Sequence, residues 1–147
     1  MKQTFSFDDV LLVPKFSDIE SRFSVKIDND LDASTHLNLP VISSPMDTIT
    51  EGDMALAMAR HGGLGIIHRY NTIQEQTSIV SDSFCKYGDM NIAAAIGVTG
   101  DYEERACALY DAGVRILCID VAHGHHSLVK DAIFTIREAM GNKVHIM

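Results

Sequence analysis

The chain has no tryptophan, three prolines and three cysteines. The missing tryptophan excludes nothing. Cys85, Cys107 and Cys118 are an odd number without a Cys-x-x-Cys pair, so reduced thiols in a cytoplasmic setting are the expectation. Basic residues are scarce: 12 Lys and Arg stand against 20 Asp and Glu, for a formal charge of −8 and a pI near 5.2. That balance excludes a nucleic-acid-binding surface and an anionic membrane as partner. It leaves a phosphorylated small ligand open, because helix N-termini and backbone amides hold phosphate without excess lysine. No stretch approaches the ~20 apolar residues that span a bilayer, and the opening Met1-Lys2-Gln3-Thr4-Phe5-Ser6-Phe7-Asp8 has no apolar run of signal-peptide length.

What is present is ordinary globular material. Over 147 residues, 46% are hydrophobic and 22% charged, enough for one domain with a core and not the composition of a disordered chain. After a leader of about 38 residues, strand-like and helix-like blocks alternate. Nearly continuous apolar runs at 39–44, 64–68, 92–98, 115–121 and 143–147 have the pattern of parallel strands covered on both faces. Between them the periodicity predicts helices over 50–61, 72–84, 101–112 and 127–140. The first should turn Met54, Ala57 and Met58 to one face and stop at Gly62-Gly63. Thr72 with Glu75, and Asp101 with Glu104, read as capping boxes. Ala106, Leu109 and Tyr110 should face inward, as should Leu128, Val129, Ala132, Ile133 and Ile136; Gly113 and Gly141 end those helices.

Strand starts recur about every 25 residues, a βα repeat that fits either a doubly wound sheet or a (β/α)8 TIM barrel. The turn after the first strand, Ser43-Ser44-Pro45-Met46, is not the glycine-rich turn of a dinucleotide-binding sheet. A barrel is therefore the predicted α/β class. A whole barrel needs ~250 residues, and this chain supplies the leader, four βα units and a fifth strand ending at Met147. A half barrel would leave bare sheet edges, so truncation is the first expectation, with a half barrel completed by a partner as the alternative.

Two strand ends are rich in polar groups. Leu39-Pro40-Val41-Ile42 runs into Ser43-Ser44-Pro45-Met46-Asp47-Thr48, and the fourth strand runs into Asp120-Val121-Ala122-His123-Gly124-His125-His126. Polar groups at the carboxyl ends of buried strands are where α/β proteins build small-molecule sites. For the first, a tight turn with Ser44 capping the next helix stands beside a reading in which Ser44 meets a phosphate or ribose and Met46 packs on a flat ring. For the second, Asp120 either bonds the amides of residues 122–124 or accepts from the two hydroxyls of a ribose. Buried, it needs donors in either case. The histidines invite a zinc reading, but no further ligands are in view and no metal is expected. Arg69 could reach a phosphate or simply face solvent. None of the cysteines has the helix N-terminus or cationic neighbour that activates a thiolate.

These segments resemble the inosine monophosphate dehydrogenase and guanosine monophosphate reductase family. The resemblance lies in Thr4-Phe5-Ser6-Phe7-Asp8-Asp9-Val10-Leu11-Leu12-Val13-Pro14, in Glu20-Ser21-Arg22, and in the first-strand motif from Leu39 to Thr48. It continues in Gly62-Gly63-Leu64-Gly65-Ile66-Ile67-His68-Arg69, in Ala94-Ala95-Ile96-Gly97-Val98, and in Asp120-Val121-Ala122-His123-Gly124-His125. It implies a (β/α)8 barrel, usually tetrameric, that moves hydride between a purine nucleotide monophosphate and NAD or NADP through a cysteine adduct at purine C2. On matching positions Ser44 and Met46 would touch the nucleotide. Asp120, Val121 and Ala122 would bind the cofactor, as would Ser21, Arg22 and Arg69 on a match to the reductase branch.

The resemblance also implies what should follow Met147: a Gly-Asn pair, the loop with the catalytic cysteine, a potassium site and phosphate-binding glycines. No catalytic residue is therefore expected within residues 1–147, which alone should not turn over. Residues 85–91 leave no room for the regulatory domain that many dehydrogenases insert. The expectation is an IMP dehydrogenase, taking IMP, NAD and water to XMP and NADH. A GMP reductase (GMP and NADPH to IMP and ammonia) and a non-catalytic half barrel are the alternatives, and a histidine-based metal hydrolase is a more remote one.

Overall fold

The computed structural model describes residues 2–87 and 90–147. Strands β3 (Ile42–Ser43), β4 (Leu64–Ile67), β5 (Ile92–Ile96), β6 (Ile116–Ile119) and β7 (His145–Ile146) form one parallel sheet, in that order. Each lies within one of the five apolar runs, but each is shorter than its run. At the start of the first run, Pro40 has no N–H to give to a ladder, and Leu39 N donates instead to Gly62 O at 3.0 Å. At the other ends, the chain leaves the ladder after Ile96 and Ile119. Gly97 and Asp120 are thereby placed on the rim, not in a strand.

Helices α1 (Gly52–Arg60), α2 (Ile73–Tyr87), α3 (Tyr102–Asp111) and α4 (Ser127–Met140) connect the strands. Side chains alternate along β5: Ile92, Ala94 and Ile96 join one cluster, Ala93 and Ala95 the other. The first cluster receives Ala55 and Leu56 from α1, Val80 from α2, Leu109 from α3 and Ile136 from α4, so all four helices lie on one face. The opposite face, with Leu64, Ile66 and Ile116, is met by Leu31 and Leu37 of a small antiparallel hairpin, β1 (Asn29–Asp30) and β2 (His36–Leu37). One-sided helices do not fit a doubly wound sheet, which needs them on both faces.

The rotation of α1 differs from the periodicity. Ala55 and Leu56 are buried, whereas Met54 is 42% exposed and Ala57 is exposed as well. Gly65 is the reason: a Cβ there would stand 2.4 Å from Ala55 Cα, so the helix backbone lies directly on the strand at this point. Packing at the smallest residue pair, not the largest apolar side chains, sets which face turns in. On α4, Ala132, Ile136 and Met140 carry the burial, while Leu128 and Ile133 remain 39% and 37% exposed.

The capping box at α2 forms, with Thr72 N donating to Glu75 Oε2 at 2.9 Å and Glu75 N to Thr72 Oγ1 at 3.2 Å. The one expected at α3 does not. Asp101 makes no side-chain cap; its carboxylate accepts from Arg105 Nη2 at 2.8 Å. Gly62, Gly113 and Gly141 end their helices with φ of 82°, 110° and 60°, a region that L side chains enter only with strain. Residues 2–30 are exposed throughout, with single 3-10 turns at Phe7–Asp9 and Arg22–Ser24. Among the described residues no helix is long and apolar enough to cross a membrane. The expected direct link over 85–91 falls partly on residues 88 and 89, outside the described residues.

Candidate functional site

Because the five strands are parallel, the segments that follow them open on one edge of the sheet. Ser44 follows β3, His68 and Arg69 follow β4, Gly97 follows β5 and Asp120 follows β6. Asp120 is tied to its neighbour by its own N–H, which donates to Ile96 O at 3.0 Å.

The turn after β3 is held from within. Ser44 O accepts from Met46 N at 2.9 Å and from the buried Thr50 hydroxyl at 2.6 Å, and that hydroxyl also lies 2.9 Å from Ser43 Oγ. Ser44 does not cap α1, as one sequence reading had it; the N-cap position is Glu51. The side chains of Ser44 and Met46 are exposed. A rigid backbone carrying two uncommitted side chains is what a ligand-facing loop needs.

His68 is 3% exposed. Its Nδ1 accepts from Tyr70 N at 3.1 Å, which leaves the proton of the neutral ring on Nε2, facing Glu51 Oε1 at 3.3 Å. The ring thus braces the rim and is not available as a free base.

Arg69 does not face solvent. Its guanidinium crosses Gly97, where a Cβ would stand 3.4 Å from Nη1, and Nη2 donates to Asp120 O at 3.1 Å. Nε lies 3.3 Å from Asp120 Oδ2, a charge contact whose angle does not make a hydrogen bond. Arg69 Nε, Asn71 Nδ2 and Asp120 Oδ2 are the buried side-chain polar atoms without a hydrogen-bond partner among the described residues. All three lie just past the ends of β4 and β6. Leaving such atoms unpaired costs about 1–3 kcal/mol each, and a ligand with hydroxyls beside Asp120 would remove part of that cost. The Asp120 carboxylate is thus directed at Arg69, not at the amides of residues 122–124.

Burial, helped by the charge of Asp120, pushes the Cys118 thiol above its ordinary pKa, which makes it a poor nucleophile. Val121 is half-buried and Ala122 to His126 are exposed. His126 Nδ1 accepts from Leu128 N at 3.1 Å and so caps α4. No three His, Cys, Asp or Glu side chains converge as metal ligands among the described residues. A cavity of about 440 Å³ beside Gly124, Lys130 and Phe134 is the nearest to this loop, but neither Asp120 nor Ser44 lines it. Ser21 and Arg22 are not brought to the rim by any described contact; Ser21 Oγ accepts from Phe23 N at 3.3 Å and stabilises its own turn.

Three residues that sequence reasoning passed over stand behind the rim. Gln76 is fully buried and Arg105 is 6% exposed. Arg105 Nη1 donates to Gln76 Oε1 at 2.8 Å, and Nη2 donates to Asn71 O at 3.0 Å. Each sits at an unremarkable polar position of a helix or loop, and nothing local marks that they meet.

Residues 4–147 match the IMP dehydrogenase / GMP reductase domain family. Over 129 residues the chain is 38% identical to an inosine-5′-monophosphate dehydrogenase of Nitrosopumilus maritimus, covering 80% of this chain and 27% of that protein. It is 32% identical over 154 aligned positions to the Methanocaldococcus jannaschii enzyme of the same name, covering 97% of this chain and 30% of the relative. A Staphylococcus aureus inosine-5′-monophosphate dehydrogenase is 49% identical over 79 residues, 54% of this chain and 16% of that protein. The chain therefore spans less than a third of the length of these relatives. By the match across nearly its whole length, this chain belongs to the IMP dehydrogenase / GMP reductase domain family.

Proposed function

We propose that residues 1–147 are the N-terminal part of a single (β/α)8 barrel catalytic domain, without an inserted regulatory domain, in an enzyme that oxidises IMP with NAD and water. The observation that carries this reading is the convergence on one sheet edge of the turn bearing Ser44 and Met46 and the under-satisfied pair Arg69 and Asp120. On this reading the exposed Ser44 hydroxyl and Met46 thioether meet the nucleotide. Asp120, flanked by Val121 and Ala122, holds the cofactor's ribose. A ribose diol fits the orphaned Oδ2, since it supplies donors where the protein supplies none. Bound NAD supplies the hydride acceptor. Arg69 keeps Asp120 ionised and in place, and Ser21 and Arg22 would join the cofactor only if the leader folds over the rim. The cysteine that forms the purine adduct, the potassium site and the phosphate-binding glycines belong beyond Met147, as does any tetrameric assembly.

A steady-state assay on the complete gene product tests the reading. IMP with NAD should yield XMP and NADH; turnover of GMP with NADPH, or of neither pair, would refute it. Asp120→Ala should raise KM for NAD by about tenfold or more, in line with a lost pair of charge-assisted hydrogen bonds, and leave KM for IMP within about twofold. Ser44→Ala should do the reverse. Equal effects of either variant on both constants would contradict the division of labour.

A further inference from the structure

The geometry points to Gln76 as a positioning residue for the cofactor half of the site, acting through the spacing of β4, β5 and β6 at the rim; this rests on the function proposed above. The β4–β5 pairing ends at Ile67 and Ala94. One residue further on, the Gln76 side-chain amide takes over: Nε2 donates to His68 O at 3.0 Å and to Ala95 O at 2.9 Å, with Ile67 O more distant at 3.4 Å. A primary amide has two N–H donors, and here they meet two carbonyls on neighbouring strands. The amide acts as one more cross-link of the sheet, supplied from α2.

Its orientation is forced by chemistry. Arg105 carries only donors, so the group facing Nη1 at 2.8 Å must be Oε1. Backbone carbonyls carry only acceptors, so the group facing His68 O and Ala95 O must be the NH₂. Arg105 is in turn held by Asp101 Oδ2 at 2.8 Å and by Asn71 O at 3.0 Å, so the amide has a fixed support behind it.

Two routes lead from this amide to Asp120. One passes from His68 O to the next residue, Arg69, whose guanidinium donates to Asp120 O. The other passes from Ala95 O to the next carbonyl, Ile96 O, which accepts from Asp120 N. The routes close a ring around Gly97, over which Arg69 lies. Gln76 therefore holds the separation that lets Arg69 reach Asp120. It sits beneath the rim, fully buried, and so acts on a ligand only through those two residues. Ser44 and Met46 lie outside this ring; their turn is held by Thr50.

The test compares KM for NAD and KM for IMP in the complete gene product carrying Gln76→Glu. This change keeps the length of the side chain and the Arg105 partner but replaces the two N–H donors with a carboxylate oxygen. KM for NAD should rise about tenfold, the scale of a lost hydrogen bond left with unsatisfied carbonyls, with KM for IMP within about twofold. A purely structural defect lowers the active fraction and hence kcat, leaving both KM values alone. Gln76→Met, which removes the polar group but not the volume, serves if the glutamate variant does not fold, and should shift the same constant in the same direction. A parent enzyme without IMP- and NAD-dependent activity overturns the underlying function and this inference with it. An active parent whose Gln76 variants keep KM for NAD within twofold, or shift both constants equally, overturns this inference alone.

Discussion

Placing one methyl group at Gly65 tests how α1 sits on the sheet. An alanine Cβ there would lie 2.4 Å from Ala55 Cα, 2.9 Å from Ala55 Cβ and 3.3 Å from Ala55 C. The first and third of these are backbone atoms in the middle of α1, and Ala55 itself is fully buried, so no side-chain rotation relieves the overlap. The helix would have to move by roughly an ångström, the gap to an ordinary contact of about 3.5–4 Å. That movement disturbs the packing of Leu56 against Val80 and Ile67 in the main cluster. Overpacking a dense core typically costs about 1–3 kcal/mol, and a backbone obstacle puts Gly65→Ala at the upper end, about 3 kcal/mol. With a urea slope of about 1.5 kcal/mol/M for a chain of this size, the midpoint should fall by about 2 M. Ala55→Gly should lose about 1 kcal/mol of helix propensity by itself yet recover stability in the Gly65→Ala background, giving a positive coupling. Gly124→Ala, where a Cβ meets nothing within 4 Å, is the control and should be close to neutral. A Gly65→Ala midpoint within experimental error of the parent, or additive behaviour of the pair, would refute the close approach.

The cysteines should separate by reactivity. Cys85 and Cys107 are exposed, whereas Cys118 is half-buried beside Asp120 with its thiol pKa pushed up, so alkylation at neutral pH followed by peptide mass mapping should modify Cys118 last. Labelling of Cys118 first would contradict the packing of β6. Acid should release the hairpin. Burial pushes the Asp32 carboxyl up, but hydrogen bonds from Ser34 and Thr35 outweigh it and hold it below the ordinary carboxylate range; its Oδ2 also meets His145 Nδ1 at 2.8 Å. A carboxyl lowered on folding stabilises above its unfolded pKa and loses that contribution as pH falls through the folded value, so the gap between the parent and Ser34→Ala should be full near neutrality and close below about pH 4. A gap that persists in acid, measured by urea titration at each pH, would contradict it.

Order and direction were legible from the residues. Five apolar runs with helices between them specified a parallel α/β chain, and the helix stops at Gly62, Gly113 and Gly141 fell where the structure has them. The same pattern placed Ser44 and Asp120 at the ends of parallel strands, because a run covered on both faces must end where its backbone turns to solvent. Local chemistry succeeded where the partner was three residues away, as with Thr72 and Glu75. It failed at Asp101, where Arg105, one turn further along α3, offered a charged donor to the same carboxylate.

By itself, then, the amino-acid order determined which segments become strands and helices, and which polar residues stand where the strands end. Apolar periodicity and turn chemistry act between residues close in sequence, so they can be read along the chain. Only the tertiary structure decided the rotation of α1, the pairing of Arg69 with Asp120 across 51 residues, and the meeting of Gln76 with Arg105 across 29. Those depend on how closely two backbones can approach and on which buried charge finds which donor. Both are settled between elements, when the helices pack onto the sheet.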